Sequence, residues 1–395
     1  GVASQVATVQ PAAPARGDRL TISEWQCASM KDHVSGASAR FAAIPGPADL
    51  SSLGAPFGYG WYRIKLKSPG GKVHMSVPHG GDRLHVSLDG EAAGLLGSGP
   101  GAENELAVTL KKGATTMVVL AENLGRVAGG ASLGESKGIF GDIWEVHAIR
   151  AGKPSIKTGD PVDVLSFRTP LWEIQSGDAT IPERLTWTIQ RKKKSPVIVT
   201  VGASAGRGLL LINNKPFAYL ERGGGERHFI PADQLKGGAN TIQIALLPDH
   251  GAADSTSAEE LEQLAASVSF SECIASLSGK AEWAFARWEP PRAAAFGKPK
   301  GGRESGPIWW RAKFGKVSGT EPVFFDAAGL TKGQLYVNGR HVCRYFVATG
   351  NGKPVAGQQA YYIPSPWLSA EAENEVLVFD EHGGNPGRCR LVHGM

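Results

Sequence analysis

Hydrophobic and polar residues alternate with a period of two in three well-separated segments of the chain. These segments are YGWYRIKL (59–66), LTWTIQRK (185–192) and IWWRAKF (308–314). Alternation of this kind is typical of half-buried strands in antiparallel sheets. Turn residues recur about every 8–12 positions, a spacing that is typical of β-sandwiches and barrels. The pattern predicts an all-β protein.

A strand–turn–strand unit follows each opening segment. RGLLLINNKPFAYLE, from Arg207, aligns without gaps with KGQLYVNGRHVCRYF, from Lys332, and a fainter copy, RLHVSLDGEAAGLL, begins at Arg83. The turns fall at Asp89-Gly90, Asn213-Asn214 and Asn338-Gly339. Asn-Gly between two apolar runs predicts a hairpin, because both central residues of a type I′ turn need a positive φ.

The later strands of the last two copies also align. HFIPADQLKGGANTIQIALL (228–247) corresponds to YYIPSPWLSAEAENEVLVFD (361–380). Self-similarity at this spacing indicates a repeated structural unit. We predict three consecutive jelly-roll β-sandwich domains at 19–155, 156–282 and 283–395, after a flexible segment at 1–18.

One segment has a helical pattern. In STSAEELEQLAASVS (255–269), Ser257 and Glu260 fit a capping box, and Leu261, Leu264 and Val268 share one face. We expect this helix to cover a sheet edge.

Composition excludes several classes of protein. The net charge of +5 over 395 residues is small and not concentrated, so no nucleic-acid partner is expected. No run of about 18 apolar residues exists, so we predict no membrane span. The Ala/Pro/Val-rich start could follow a removed signal peptide or a lost upstream domain, and the first of these favours a secreted, periplasmic or cell-surface location.

The four cysteines, Cys27, Cys273, Cys343 and Cys389, are far apart and lack the spacing of a zinc site. Free thiols and disulfides are both open, and Cys343 could meet Cys389 if their strands are neighbours. His74, His79 and His85 are close enough in sequence to bind a metal across a hairpin, but strand histidines are more often unliganded. We predict no metal site and no cofactor, and no Asp-rich loop indicates structural calcium.

A catalytic pair of acids is not visible. Hydrolysis of a glycoside needs two carboxyl groups about 5–10 Å apart. No spacing pairs any two of the acids on predicted loops, which are Glu122, Glu135, Asp142, Glu226 and Glu304. We interpret them as surface or capping residues and predict no catalytic residue.

The strings PADLSSLGAPFGYGWYRIKL, GDRLHVSLDGEAAGLL and AENLGRVAGGASLGESKGIFGDI resemble the first jelly-roll domain of glycoside hydrolase family 35 β-galactosidases. EPVFFDAAGLTKGQLYVNGRHVCRYF, QQAYYIPSPWL and ENEVLVFDEHG resemble the last jelly roll of that family. The resemblance covers about 45–155 and 283–395. Family members hydrolyse their substrate in a (β/α)₈ barrel, which needs about 250 residues of alternating strand and helix. This chain shows no such alternation, so the resemblance implies accessory domains of the galactose-binding-like sandwich class without the catalytic barrel.

Sugar binding uses aromatic faces together with Arg, Asn, Gln and His side chains on loops at one end of a sandwich. The polar insertion VATGNGKPVAG (347–357) lies between Arg344-Tyr345 and Gln358-Gln359, which makes these two pairs the leading candidates for sugar binding. The carbohydrate-binding candidates are Arg344, Tyr345, Gln358, Gln359, Tyr361, Arg340, Asn123, Arg126, Tyr59, Arg227 and His228.

We predict a non-catalytic carbohydrate-binding protein that recognises galactose-containing or related glycans. Two alternatives stay open. The chain could be a fragment or partner subunit of a glycoside hydrolase whose barrel is on another chain, or a structural sandwich component of an extracellular assembly. The expected partners are a glycan or polysaccharide and a catalytic hydrolase, and the sequence does not indicate an oligomeric state.

Overall fold

The structure, a computed structural model, describes residues 19–126, 133–158, 183–191, 193–202, 207–221, 225–247, 258–299, 306–319 and 321–394. The predicted flexible segment 1–18 lies outside these residues. Within them the chain forms 29 strands in six sheets and two α-helices, α1 (Lys31–Val34) and α2 (Ala258–Ser267). None of the described helices has the length and apolar character needed to cross a bilayer. The fold is all-β, as predicted.

The strands are β1 (Arg19–Leu20), β2 (Gln26–Ser29), β3 (Ala42–Ile44), β4 (Ala48–Asp49), β5 (Gly58–Ser68), β6 (Gly71–Ser76), β7 (Gly80–Gly81), β8 (Arg83–Leu88), β9 (Glu91–Gly97), β10 (Leu106–Leu110), β11 (Gly113–Asn123), β12 (Gly138–Ile139), β13 (Trp144–Ile149), β14 (Ser155–Thr158), β15 (Glu183–Arg191), β16 (Val197–Val201), β17 (Arg207–Ile212), β18 (Lys215–Leu220), β19 (Glu226–Ile230), β20 (Gly238–Leu247), β21 (Ser269–Ser276), β22 (Glu282–Arg287), β23 (Ile308–Phe314), β24 (Val323–Asp326), β25 (Lys332–Val337), β26 (Arg340–Phe346), β27 (Ala360–Ile363), β28 (Asn374–Asp380) and β29 (Arg390–His393).

The first and second sandwiches share a sheet. The first contains the sheet β3-β22-β5-β11-β8-β9 and the small sheet β4-β12-β7, and the second contains β14-β15-β20-β17-β18. The sixth sheet, β10-β6-β13-β21-β16-β19, runs through both, because β13 pairs with β6 on one side and with β21 on the other. Each sandwich still has its own apolar core.

The third sandwich consists of two sheets, β1-β29-β24-β27 and β2-β23-β28-β25-β26. Its core lies between them. Gly333 in β25 is required by the close approach of β28, since a Cβ at that position would lie 1.8 Å from the Phe379 carbonyl oxygen. The strands β25 and β28 can therefore pair here only because position 333 has no side chain.

Strand pairing differs from the consecutive division 19–155, 156–282 and 283–395 at two places. The N-terminal strands β1 and β2 pair with β29 and β23 of the third sandwich. The strand β22, which follows the second sandwich, returns to pair with β3 and β5 of the first. Local pattern specifies that a short segment is a strand, but the sheet edge that accepts it is set by tertiary contacts.

The three predicted hairpins form. The non-glycine turn residues Asp89, Asn213, Asn214 and Asn338 all have φ between 49° and 64°, the left-handed region that such turns require. Each hairpin also has a register shift at the same distance before its turn, between Val86 and Ser87 in the first copy. The bulge increases the local twist of each hairpin.

The first and third sandwiches pack face to face. Along β23, Trp310 faces the core of the third sandwich, while Trp309 faces the first sandwich and stacks on Trp288 at a centroid distance of 5.0 Å. Along β5, Ile64 faces its own core and Trp61 faces the third sandwich. Both faces of these strands are consequently buried, so the two sandwiches form one packed unit.

The helix α2 packs Leu261 and Leu264 into the core of the second sandwich. The capping residue proposed for it, Ser257, lies outside the described residues. Cys273, Cys343 and Cys389 are free thiols. Burial raises the pKa of Cys273 and Cys343 to about 12, so these thiols are protonated at neutral pH.

The ring of His33 in α1 gives the protein a pH-dependent stability. It packs against Trp61 and Phe41, and burial, together with the positive charge of Arg40, lowers its pKa to about 4. The unfolded chain binds this proton near pH 6.5, so stability falls as the pH drops from about 6.5 to about 4. In urea denaturation, the free energy of unfolding should fall less between pH 7 and pH 5 for His33→Phe than for the natural chain. An equal loss in both would contradict this assignment.

Candidate functional site

Four of the predicted sugar-binding residues are buried, and their polar atoms are used within the chain. The Tyr345 hydroxyl donates to the Phe379 carbonyl at 2.7 Å, and the Tyr361 hydroxyl donates to the Gln358 carbonyl at 2.6 Å. The Asn123 side chain donates to the Pro56 carbonyl, and the Tyr59 hydroxyl donates to Glu381 Oε1 at 2.7 Å. These side chains are not accessible to a sugar, which corrects the prediction for them.

The other predicted residues lie in separate places. Arg126 contacts Ser51 Oγ and the Glu135 carbonyl in the first sandwich, whereas Arg227 donates to Ser76 Oγ where the first two sandwiches meet. His228 Nε2 is 3.1 Å from a Glu226 carboxylate oxygen. The exposed members are Arg126 in the first sandwich and Arg340, Arg344, Gln358 and Gln359 in the third. The structure does not gather the eleven candidates into one site.

A buried group of charged side chains lies between the first and third sandwiches. Glu122 is the penultimate residue of β11, Lys332 begins β25 and Glu381 follows β28, and each is at most 5% exposed. Lys332 Nζ donates to Glu381 Oε1 at 2.8 Å and also contacts Glu122. Arg83 Nε lies 3.6 Å from Glu122 Oε2. The interpretation of Glu122 as a surface or capping acid is therefore wrong.

Strand register explains this arrangement. Glu122 pairs with Tyr59 on one neighbouring strand and with Arg83 on the other, so the three form a row across the sheet. The facing sheet supplies Lys332 and Glu381. The Glu381 amide donates a backbone hydrogen bond to the Lys332 carbonyl, which holds their two chain segments together. Of the other acids considered from the sequence, Glu135 pairs with Lys137, Asp142 accepts from Ser278, and Glu304 lies outside the described residues.

The two carboxyl groups of this cluster differ in proton affinity. Burial, reinforced by the negative charge of Glu381, raises the pKa of Glu122. Burial also acts to raise the pKa of Glu381, but the positive charge of Lys332 and the adjacent His85 outweigh it and hold the pKa well below its usual range. Glu381 is accordingly ionised at neutral pH.

Two histidines lie beside Glu381 at the edge of the cluster. His85 Nε2 is 3.0 Å from Glu381 Oε2, and His382 Nε2 is 3.7 Å from the same oxygen. Burial, with repulsion from His85, lowers the pKa of His382 to about 4, so this ring is neutral at pH 7. From the sequence alone, His85 is grouped with His74 and His79 across a hairpin. The structure instead places it beside Glu381 and His382, nearly 300 positions away.

These residues line a cleft of about 1350 Å³ between the first and third sandwiches. One wall comes from the hairpin β8–β9, and the opposite wall comes from residues 349–351 and 353–356 of the insertion noted in the sequence. Glu381 and His382 also belong to the lining. The insertion was identified from the repeat alignment, whereas the histidine pair was missed because its two members come from different sandwiches.

Comparison with known sequences agrees with this architecture. Residues 47–149 match the family described as "Beta-galactosidase, first all-beta domain". Residues 307–374 match the family described as "Beta-galactosidase, galactose-binding domain". The chain is thus an all-β protein with sandwich domains of the type found in glycoside hydrolases. More narrowly, its first and third sandwiches resemble β-galactosidase accessory domains, and the described residues contain no (β/α)₈ barrel.

Curated relatives match only part of the chain. "Beta-galactosidase 11" of Oryza sativa subsp. japonica is 35% identical over 94 residues, which is 24% of this chain and 11% of that protein. "Beta-galactosidase 12" of the same plant is 33% identical over 81 residues, which is 20% and 9%. The chain therefore spans about a tenth of the length of these relatives. A solved Bacteroides uniformis β-glucuronidase 2 aligns over 76% of this chain and 30% of its own, at 10% identity and a TM-score of 0.24.

Proposed function

We propose that this chain is a non-catalytic carbohydrate-binding protein and that the cleft between its first and third sandwiches binds a galactose-containing glycan. The observation that carries the proposal is the cleft itself. Its volume of about 1350 Å³ exceeds the roughly 300–1,000 Å³ of sites for small ligands, which favours an oligosaccharide. The match of residues 307–374 to a domain described as galactose-binding supports the choice of sugar.

The chemistry of the lining suits a neutral, hydroxyl-rich ligand. Three basic and three acidic residues face the cleft together with two histidines, so no single charge dominates. The charged and histidine residues of the lining are Lys31, Asp32, Arg83, His85, Glu91, Lys353, Glu381 and His382. Charged groups make stronger hydrogen bonds than neutral ones, and apolar residues such as Val34, Leu95 and Val355 offer contacts for the C–H faces of a pyranose.

A second candidate is a part or partner subunit of a glycoside hydrolase. The matched plant β-galactosidases are about ten times longer than the regions they share with this chain, which supports a role beside a catalytic barrel. In that case the cleft binds glycan near the hydrolase. Either role fits a secreted, periplasmic or cell-surface location, where polysaccharides are found.

A glycan array combined with a galactoside hydrolysis assay tests the proposal. We expect the chain to bind a set of galactose-containing oligosaccharides and to release no galactose from them. Binding to no glycan would contradict the proposal. If the chain releases galactose and substitution of a single carboxylate abolishes that release, the proposal that the chain is non-catalytic is contradicted.

A further inference from the structure

We propose that His85, Glu381 and His382 form a binding site for a divalent transition metal, Zn²⁺ above all, at the floor of the cleft. Their ligand atoms all lie within 4.8 Å of one another. Each Zn²⁺–ligand bond is about 2.0–2.2 Å long, so two ligands on one ion lie about 3–4 Å apart. The distances of 3.0 and 3.7 Å from Glu381 Oε2 to the two imidazole nitrogens fall in this range.

The ligand atoms lack other partners. His85 Nε2 and Glu381 Oε2 are buried and lie 3.0 Å from each other, and neither has a hydrogen-bond partner elsewhere among the described residues. Buried polar atoms are nearly always satisfied, and these two can satisfy each other only while Nε2 carries a proton. An ion bound between them satisfies both.

The surroundings hold the carboxylate in place for this role. Glu381 Oε1 accepts from the Tyr59 hydroxyl at 2.7 Å and from Lys332 at 2.8 Å, which leaves Oε2 directed to the histidines. Metal-binding carboxylates are commonly fixed by hydrogen bonds of this kind. The backbone amide of His382 donates to Asp380 Oδ1 at 3.0 Å, so the segment that carries two of the three ligands is also fixed.

The ligand set discriminates among metals. Ca²⁺ and Mg²⁺ prefer sites made of oxygen atoms, whereas two imidazoles with one carboxylate suit Zn²⁺ and its neighbours. Three protein ligands leave the fourth position of a tetrahedral ion open. All three residues line the cleft, so that position is available to water or to a hydroxyl group of a ligand.

Metal titration tests the site without any glycan and so does not depend on the proposed function. The chain is treated with EDTA, dialysed and titrated with Zn²⁺ alone by calorimetry. We expect one ion per chain. Loss of a residue that only supports a metal ligand typically lowers metal affinity by roughly 10–100-fold. Because His85 and His382 are themselves ligands in this proposal, His85→Ala and His382→Ala should each weaken Zn²⁺ binding by more than that. His147→Ala is the matched control, because His147 is 64% exposed, lies 3.9 Å from Glu145 and is outside the cleft.

Cobalt provides a direct readout of ligation. Co²⁺ in the natural chain should give visible absorption bands of a low-symmetry nitrogen–oxygen site, and His382→Ala should lose them while keeping its circular dichroism spectrum. The same bands in His382→Ala and the natural chain would overturn the proposal. Failure of Zn²⁺ to bind stoichiometrically to the natural chain, or equal weakening by His147→Ala, would also overturn it.

Discussion

Replacing Lys332 by methionine is expected to lower the free energy of unfolding by about 3–5 kcal/mol, the usual cost of leaving a buried charge without its partner. Lys332 is the cation that contacts both Glu122 and Glu381, and neither carboxylate is exposed to water. The methionine side chain fills most of the same space, so the loss reports on charge rather than on a cavity. Urea denaturation at pH 7 measures the change.

The same substitution at Lys313 is the control. Lys313 lies 3.0 Å from Glu373, but the two side chains are 60% and 65% exposed. Exposed pairs contribute about 0–1 kcal/mol, so Lys313→Met should have little effect. Adding Glu122→Gln to Lys332→Met should restore part of the lost stability, because it removes one of the unpaired charges. A loss at Lys332 no larger than that at Lys313 would show that the cluster does not hold the two sandwiches together.

Replacing Trp309 by alanine is expected to cost about 3–5 kcal/mol, as is typical for the removal of a large buried aromatic side chain. Trp309 is fully buried between the first and third sandwiches and packs on Trp288, Phe379 and Tyr336. The cavity would open in the interface rather than in either core. Thermal unfolding should shift to lower temperature and separate into two transitions as the sandwiches uncouple.

Trp367→Ala serves for comparison, because Trp367 is only half-buried in the third sandwich and has Arg340 over its ring. Its removal should cost much less and leave a single transition. If Trp309→Ala behaves like Trp367→Ala, the face-to-face packing described for the two sandwiches is wrong.

Local sequence patterns were sufficient to predict individual strands and turns. IWWRAKF corresponds to β23, and YGWYRIKL lies within β5. The turn at Asn338 has the positive φ that its sequence indicates. These features depend on side-chain alternation and backbone sterics within a few residues, which a single sequence contains.

Contacts between distant segments could not be predicted in this way. Alternation in IWWRAKF indicates one buried face, but Trp309 and Trp310 are both buried because the first sandwich covers the second face. Tyr59 is buried for the same reason, whereas Tyr345 lies in the core of the third sandwich itself, and the hydroxyls of both bond to buried groups rather than to a sugar. No local signal links His85 to His382, since their proximity depends on how two sandwiches pack.

The most direct test of the account is a calorimetric titration with the best oligosaccharide from the array, in which the cleft is blocked. Ala92 is exposed on β9 and lines the cleft, while Ala107 is exposed on β10 outside it. Ala92→Trp should weaken binding more than tenfold, or about 1.4 kcal/mol, and Ala107→Trp should bind like the natural chain. Unchanged binding by Ala92→Trp would contradict the assignment of the cleft as the glycan site.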